Sequence, residues 1–379
     1  MGTARGNPAD GSAGRNAELP VALGMANVGF YSASIGVVLV VLAEDLGVPA
    51  EHLSWLGSSF GYGLLVMALV GPALLRLGQR QVLTSAAVVL GVGSVLLAVV
   101  PGEAAAYAGA LLQGLGAAGI VLVAPRLLHG PDAAIALTRA NSVASVVAVA
   151  APLVLGLAAA TAVGARPALL LIVGAVVALV VSARRIESAP VTGAVAERST
   201  AAWRTVLRRW LAVVCAVSVE FAFVVWGIAR LTATGLDASL SAVVGASFQV
   251  GMALGRLVGP RLIARLPMVA VGSALAATGV IVVVVSTTWP LVGLGQLIAG
   301  LGIATLYPIT LARLMATPGL RPELGTSLGA LASGTAITVA PTALAGLALV
   351  VDLRMAFLVP LPILGLLLWL HREPRAAVR

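Results

Sequence analysis

The chain has 379 residues, 60% of them hydrophobic and only 10% charged, with 23 basic and 14 acidic positions. An ordinary soluble domain carries about 25% charged residues, so a water-covered globule is excluded, and with it soluble enzymes and nucleic-acid-binding proteins. The net charge of +9 has to be read by where it falls along an integral membrane protein.

Residues 1–18, rich in Gly, Ala and Asn, read as a disordered cytoplasmic tail. Uncharged runs follow at 19–43, 52–75, 81–102, 104–125, 140–165 and 167–183, most of them near or above the about 20 helical residues that a bilayer core takes. They define a first bundle over 19–186, and the polar stretch 187–209 then reads as a cytoplasmic linker. A second bundle over 210–371 opens with 210–229, interrupted only by Glu220, and continues at 238–255, 266–312, 324–351 and 355–371. Run 266–312 is too long for one helix and divides at Thr287-Thr288-Trp289-Pro290, where Pro and an interfacial Trp mark a boundary. Residues 372–379 form a short cytoplasmic tail. The expected fold is all-α, with twelve transmembrane helices in two six-helix bundles, because lipid admits no open backbone.

Every basic residue is Arg. With both termini inside, 19 of them fall on cytoplasmic segments, only Arg166, Arg230 and Arg354 fall outside, and Arg256 lies within a span. That bias predicts a multi-pass protein of the cytoplasmic (inner) membrane with both termini cytoplasmic. Arg230 and Asp237 flank the outer loop after the seventh span and are expected to be solvated.

The two halves repeat at a nearly fixed offset. Gly71-Pro72 recurs as Gly259-Pro260, Gly114-Leu115-Gly116 as Gly300-Leu301-Gly302, Arg126 as Arg313, and Ala151-Pro152 with Gly156 as Ala340-Pro341 with Gly346. Duplicated six-helix bundles describe many secondary transporters, whose substrate path lies between the halves.

The loop Gly71-Pro72-Ala73-Leu74-Leu75-Arg76-Leu77-Gly78-Gln79-Arg80 resembles the G-x-x-x-D-R-x-G-R-R signature of the major facilitator superfamily, with Leu75 in place of the Asp. Leu112-Gln113-Gly114-Leu115-Gly116-Ala117-Ala118 resembles the family's R-x-x-Q-G-x-G-A-A stretch, with Ala110 where the Arg stands. Ala151-Pro152-Leu153-Val154-Leu155-Gly156 is similar to the G-P-x-x-G-G motif of its drug:proton antiporter branch. The resemblance implies alternating access, a latch at the Arg76 and Arg80 loop that is weaker or differently built without the Asp, and a cavity lined by helices 1, 4, 7 and 10. On those helices stand Asn27, Tyr31, Gln113, Glu220, Trp226, Gln296 and Tyr307.

Glu220 is the one acid deep in a span, and three roles are open to it: proton coupling, pairing with a cationic substrate group, or structural hydrogen bonding. Arg256 is read as snorkelling or as an interhelical ion pair ahead of substrate contact. Arg126 and Arg313 are read as interfacial anchors, with inter-half gating as the alternative. Each uncharged polar residue serves helix–helix bonding or substrate contact equally well. Pro152 and Gly156 give a kink and close approach, and the G-x-x-x-G pairs Gly57/Gly61 and Gly255/Gly259 are assigned to packing inside each bundle.

With no Lys, no phosphate-binding G-x-x-x-x-G-K-[ST] loop exists and ATP-driven transport by this chain is excluded. Cys215 stands alone, and His52, His129 and His371 are scattered, so neither a metal nor a cofactor is expected. The expectation is a monomeric secondary transporter embedded in lipid, carrying a small organic molecule with protons as partners and no nucleic acid. Efflux leads; a proton-coupled symporter or facilitator importing a sugar or small metabolite is the alternative, and a membrane enzyme or scaffold the remote one.

Overall fold

The computed structural model describes residues 8–53, 55–128, 133–186, 200–263 and 266–372. Among them no strand occurs, and twelve helical segments are long and apolar enough to cross a membrane. We number these α1 (Pro8–Leu46), α2 (Trp55–Leu74), α3 (Gln79–Val99), α4 (Glu103–Leu127), α5 (Ala133–Ala159) and α6 (Ala165–Ala168 with Leu171–Ala183). The second half holds α7 (Trp203–Thr232), α8 (Ala238–Ile263), α9 (Met268–Val285), α10 (Trp289–Ile303 with Leu306–Met315), α11 (Pro322–Ala348) and α12 (Leu353–Ala356 with Pro360–His371).

The long apolar run divides as expected, with α9 ending at Val285 and Pro290 in the first turn of α10, where its missing N–H costs nothing. Two boundaries differ. α1 starts at Pro8, so from Pro8 onward the expected disordered tail is helical; residues 1–7 lie outside the described residues. α7 starts at Trp203, which moves 203–209 from the expected linker into the helix, and 187–199 lie outside the described residues, as do 373–379. In both cases apolarity marks only the stretch inside hydrocarbon, whereas a helix once nucleated extends through polar residues at little cost per residue.

Small residues set the packing, because lipid supplies no hydrophobic drive between helices. A Cβ on Gly63 would strike the Leu111 carbonyl and one on Gly114 the Phe60 carbonyl, so α2 and α4 touch backbone to backbone; Gly251 with Leu297 and Gly300 with Phe248 do the same for α8 and α10. Gly93 faces Gly109 between α3 and α4, as Gly279 faces Gly295 between α9 and α10. The duplication is thus a duplication of contacts.

Arginines close the helix ends. Arg166, opening α6, donates through Nε to the Leu97 carbonyl (3.0 Å) and through Nη2 to that of Val100 (2.7 Å), and pairs with Asp45 at 3.2 Å. Arg354, opening α12, donates to the carbonyls of Val284 and Val285. Each caps the last turn of the third helix of its half, supplying charge where the helix dipole is negative. Arg230, expected in solvent, is only 3% exposed and donates to the Val283 and Ser286 carbonyls at 3.1 and 2.6 Å. Its loop-side position in the sequence concealed the open carbonyls of α9 beside it.

Candidate functional site

The halves meet along α1/α7, α2/α11 and α5/α8. Gly36 lies on the Val224 carbonyl, Gly61 on the backbone of Ile337 and Thr338, and Gly156 on the Ser239 carbonyl and Ala242. Ser58 donates to the Thr338 carbonyl at 2.9 Å and shares a short hydrogen bond with Thr342, while Ser239 donates to the Gly156 carbonyl at 2.7 Å. All these contacts lie in the half of the molecule remote from the termini. Gly57 and Gly61 therefore face the other bundle, a correction to the packing expected of them, whereas Gly255 seats Leu301 and Ala304 of its own half.

Following the same helix faces towards the terminal side, the seam opens. Leu69, one turn beyond the Leu65 that packs on Gly334, is 74% exposed, and Leu257, five turns from Ser239 on the same stripe of α8, is 66% exposed. On α5, Ser145, Pro152 and Gly156 share the face towards α8, and Thr138 on that face is exposed.

Glu220 sits where the closed part of the seam gives way to the open part, near the middle of α7. Its Oε1 lies 3.7 Å from Nη2 of Arg256 on α8, with the two side chains 17% and 41% exposed. Nη1 of the same guanidinium donates to the Ser145 hydroxyl of α5 at 3.2 Å, so the pair reaches across to the other half. Tyr307 of α10, half-buried, lies beside Ser333 of α11 within electrostatic range of both charges. A carboxylate and a guanidinium this deep stabilise each other against a transfer cost of about 2.5–3.5 kcal/mol per charge. Together with Ser145 they form a polar link between the halves.

The sequence profile of the Major Facilitator Superfamily matches residues 21–321. The chain belongs to the major facilitator superfamily. By structure it is similar to the nucleoside transporter NupG, with a TM-score of 0.74, 12% identity and coverage of 95% of this chain and 100% of that one. It is also similar to a bacterial homologue of the human lysosomal transporter Spinster in an inward-facing, unoccupied conformation, with a TM-score of 0.67, 13% identity and coverage of 96% and 95%. At such identities the likeness is one of fold. No curated protein matches by sequence. As a major facilitator the protein is a transporter of small molecules and not an enzyme.

Against that superfamily's pattern, the candidates fall into three groups. Glu220, Arg256 and Tyr307 come together at the seam, joined by Ser145 of α5, for which the seven-residue spacing from Pro152 was the available signal in the sequence. Asn27, Tyr31, Gln113, Trp226 and Gln296 are instead buried at 3% exposure or less, and the bonds they make stay within their own halves. Asn27 donates to the Leu23 carbonyl at 2.7 Å, Gln113 to the Ser94 hydroxyl that also binds Tyr31, Trp226 to the Pro341 carbonyl at 3.0 Å, and Gln296 to the Gly227 carbonyl at 2.7 Å. In this conformation Tyr31, Gln113, Trp226 and Gln296 serve helix–helix bonding, whereas Asn27 bonds within its own helix.

The remaining positions belong to the superfamily motifs. Gly71 packs on Leu122, Gly78 turns the α2–α3 loop at φ +99°, Arg76 is exposed and Arg80 half-buried. Leu75, standing where the superfamily has Asp, is buried as a hydrophobe. Arg126 is half-buried at the end of α4, and Arg313 bonds His371 of its own half at 3.1 Å. Pro152 is buried, and Gly156 forms the α5–α8 contact itself.

Proposed function

We propose that the protein is a proton-coupled exporter of a small, partly apolar organic molecule, monomeric in the cytoplasmic membrane with both termini in the cytoplasm. The observation that carries the coupling is the Glu220–Arg256–Ser145 link, in which the deep acid is tied through one guanidinium to the opposite half. Taking up a proton cancels the carboxylate charge and with it the attraction that holds Arg256, so protonation weakens a contact bridging the two halves. That is the kind of differential interaction through which a ligand shifts an equilibrium between two conformations.

The arginine distribution supports the orientation, under which the open side of the seam faces the cytoplasm and would admit cargo from within. Export is supported by the resemblance of Ala151–Gly156 to the antiporter motif, whose Pro152 and Gly156 sit at the bundle seam. The decisive experiment is proteoliposome transport of a chemically broad panel under an imposed pH gradient, with Glu220→Gln alongside. Wild type moves a compound against its gradient when protons flow the opposite way, and the variant loses the pH response by about tenfold or more, the equivalent of about 1.4 kcal/mol. Movement in the same direction as protons would make the protein a symporter. A pH response that survives Glu220→Gln would remove the residue from coupling.

A further inference from the structure

At the terminal end of the second half, away from the seam, two adjoining clefts of about 460 and 420 Å³ open between α7, α9, α10 and α12 and share Arg313, His371 and Arg372. The larger is lined by Arg204, Arg208, Arg209, Arg313 and Arg372 with His371 beside them, so every charged side chain along it is basic. The smaller continues as an apolar trough along Leu266, Met268, Val269, Ile309 and Leu368. A basic lobe leading into an apolar one is the shape of an amphiphile with an anionic head.

The guanidiniums are held in place from below. Arg208 donates to the Leu370 carbonyl at 2.7 Å, and Arg209 to the Arg313 carbonyl at 2.8 Å and to Thr317 at 3.1 Å. Among the described residues the side chains of Arg204 and Arg372 make no hydrogen bond. The exposed Trp203 and Trp369 flank the cleft, with Arg208 lying 5.9 Å over the Trp369 ring. Exposed Trp at helix ends sits at headgroup depth, which places the basic lobe level with lipid phosphates.

We propose that this cleft binds the phosphate headgroup of an anionic phospholipid, with an acyl chain along the trough. Basic pockets between transmembrane helices suit such headgroups, and the trough is a feature that a site for free phosphate would not need. Occupancy would tie α7, α10 and α12 together at their ends, independently of how the seam is coupled.

The test is native mass spectrometry of the purified full-length protein with phosphatidylglycerol and phosphatidylcholine of identical acyl chains, and with inorganic phosphate as a competitor. Wild type retains phosphatidylglycerol preferentially. Arg204→Gln combined with Arg372→Gln loses that preference by about tenfold, given the usual contribution of each basic residue, while the double Lys variant keeps it and shows that the fold is intact. Equal retention of the two lipids by wild type, or an unchanged preference in the Gln variant, overturns the proposal. Displacement of the lipid by millimolar inorganic phosphate overturns it too, by assigning the cleft to the free anion.

Discussion

At the scale of single residues, three charges decide how the interior is built. Arg230 is buried and its guanidinium satisfies two carbonyls at the end of α9. Replacing it with Met leaves those carbonyls without donors, and the expected loss is about 1–3 kcal/mol. Cys215, the only thiol and itself buried, supplies the readout: thermal unfolding followed by maleimide labelling should shift to lower temperature in Arg230→Met. An unshifted curve would return Arg230 to the solvated role its sequence position suggests. Glu220 and Arg256 call for a double-mutant cycle. Arg256→Gln leaves the acid unpaired and should destabilise more than the double variant with Glu220→Gln, a coupling of about 0.5–3 kcal/mol; strictly additive effects would show that the 3.7 Å pair does not matter energetically. Glu220 was legible from sequence because a lone acid in an apolar run stands out. Arg256 was legible as a candidate interhelical ion pair, but its pairing with Glu220 was not, because which helix faces α7 is a tertiary property, and for the same reason Gln113 and Gln296 could be recognised as polar but not as bonding within their own bundles.

At the scale of helices, glycine positions separate packing from spacing. Gly114 and its counterpart Gly300 each place a neighbouring carbonyl where a Cβ would go, so Gly114→Val and Gly300→Val should each cost at least about 1–3 kcal/mol by overpacking. Gly174 in α6 has open space around it and an ordinary backbone, so Gly174→Ala should instead stabilise by up to about 1 kcal/mol through helix propensity. Melting temperatures of the three variants check the contrast, and a destabilising Gly174→Ala would break it. The repeat read from short Gly and Pro matches holds for α4 and α10, where Gly114 and Gly300 make equivalent contacts. It holds less well for Gly156 and Gly346, since the first packs on α8 and the second meets nothing within 4 Å. Identity at matching positions therefore does not ensure matching contacts, because the seam each half makes depends on bulk that the partner half supplies. Span number followed from apolar length alone, but helix ends did not, as Pro8 and Trp203 show.

At the scale of the whole molecule, the two halves are pressed together on the side remote from the termini and parted on the other, and the pressed side is held by backbone contacts that admit no side chain. Gly61 is the clearest case, since a Cβ there would collide with the backbone of Thr338 and Ile337. Gly61→Leu therefore penalises this conformation specifically. In the alternative conformation of a rocking transporter that side is open and has room for the new side chain, so the penalty should move the population rather than unfold the chain. An overpacking cost of about 1–3 kcal/mol corresponds to a shift of about 5- to 150-fold. Ala242 on α8 reports it: the residue is fully buried against Gly156 at a different contact of the same seam. In a Cys215→Ser background, Ala242→Cys should react slowly with a membrane-impermeant maleimide and many times faster once Gly61→Leu is added. Acceleration at a site on other helices would mean that α2/α11 and α5/α8 separate together, as rigid halves do. A folded Gly61→Leu protein in which Ala242→Cys stays unreactive would mean that the contacts open independently, and the rigid-body picture would fail with it.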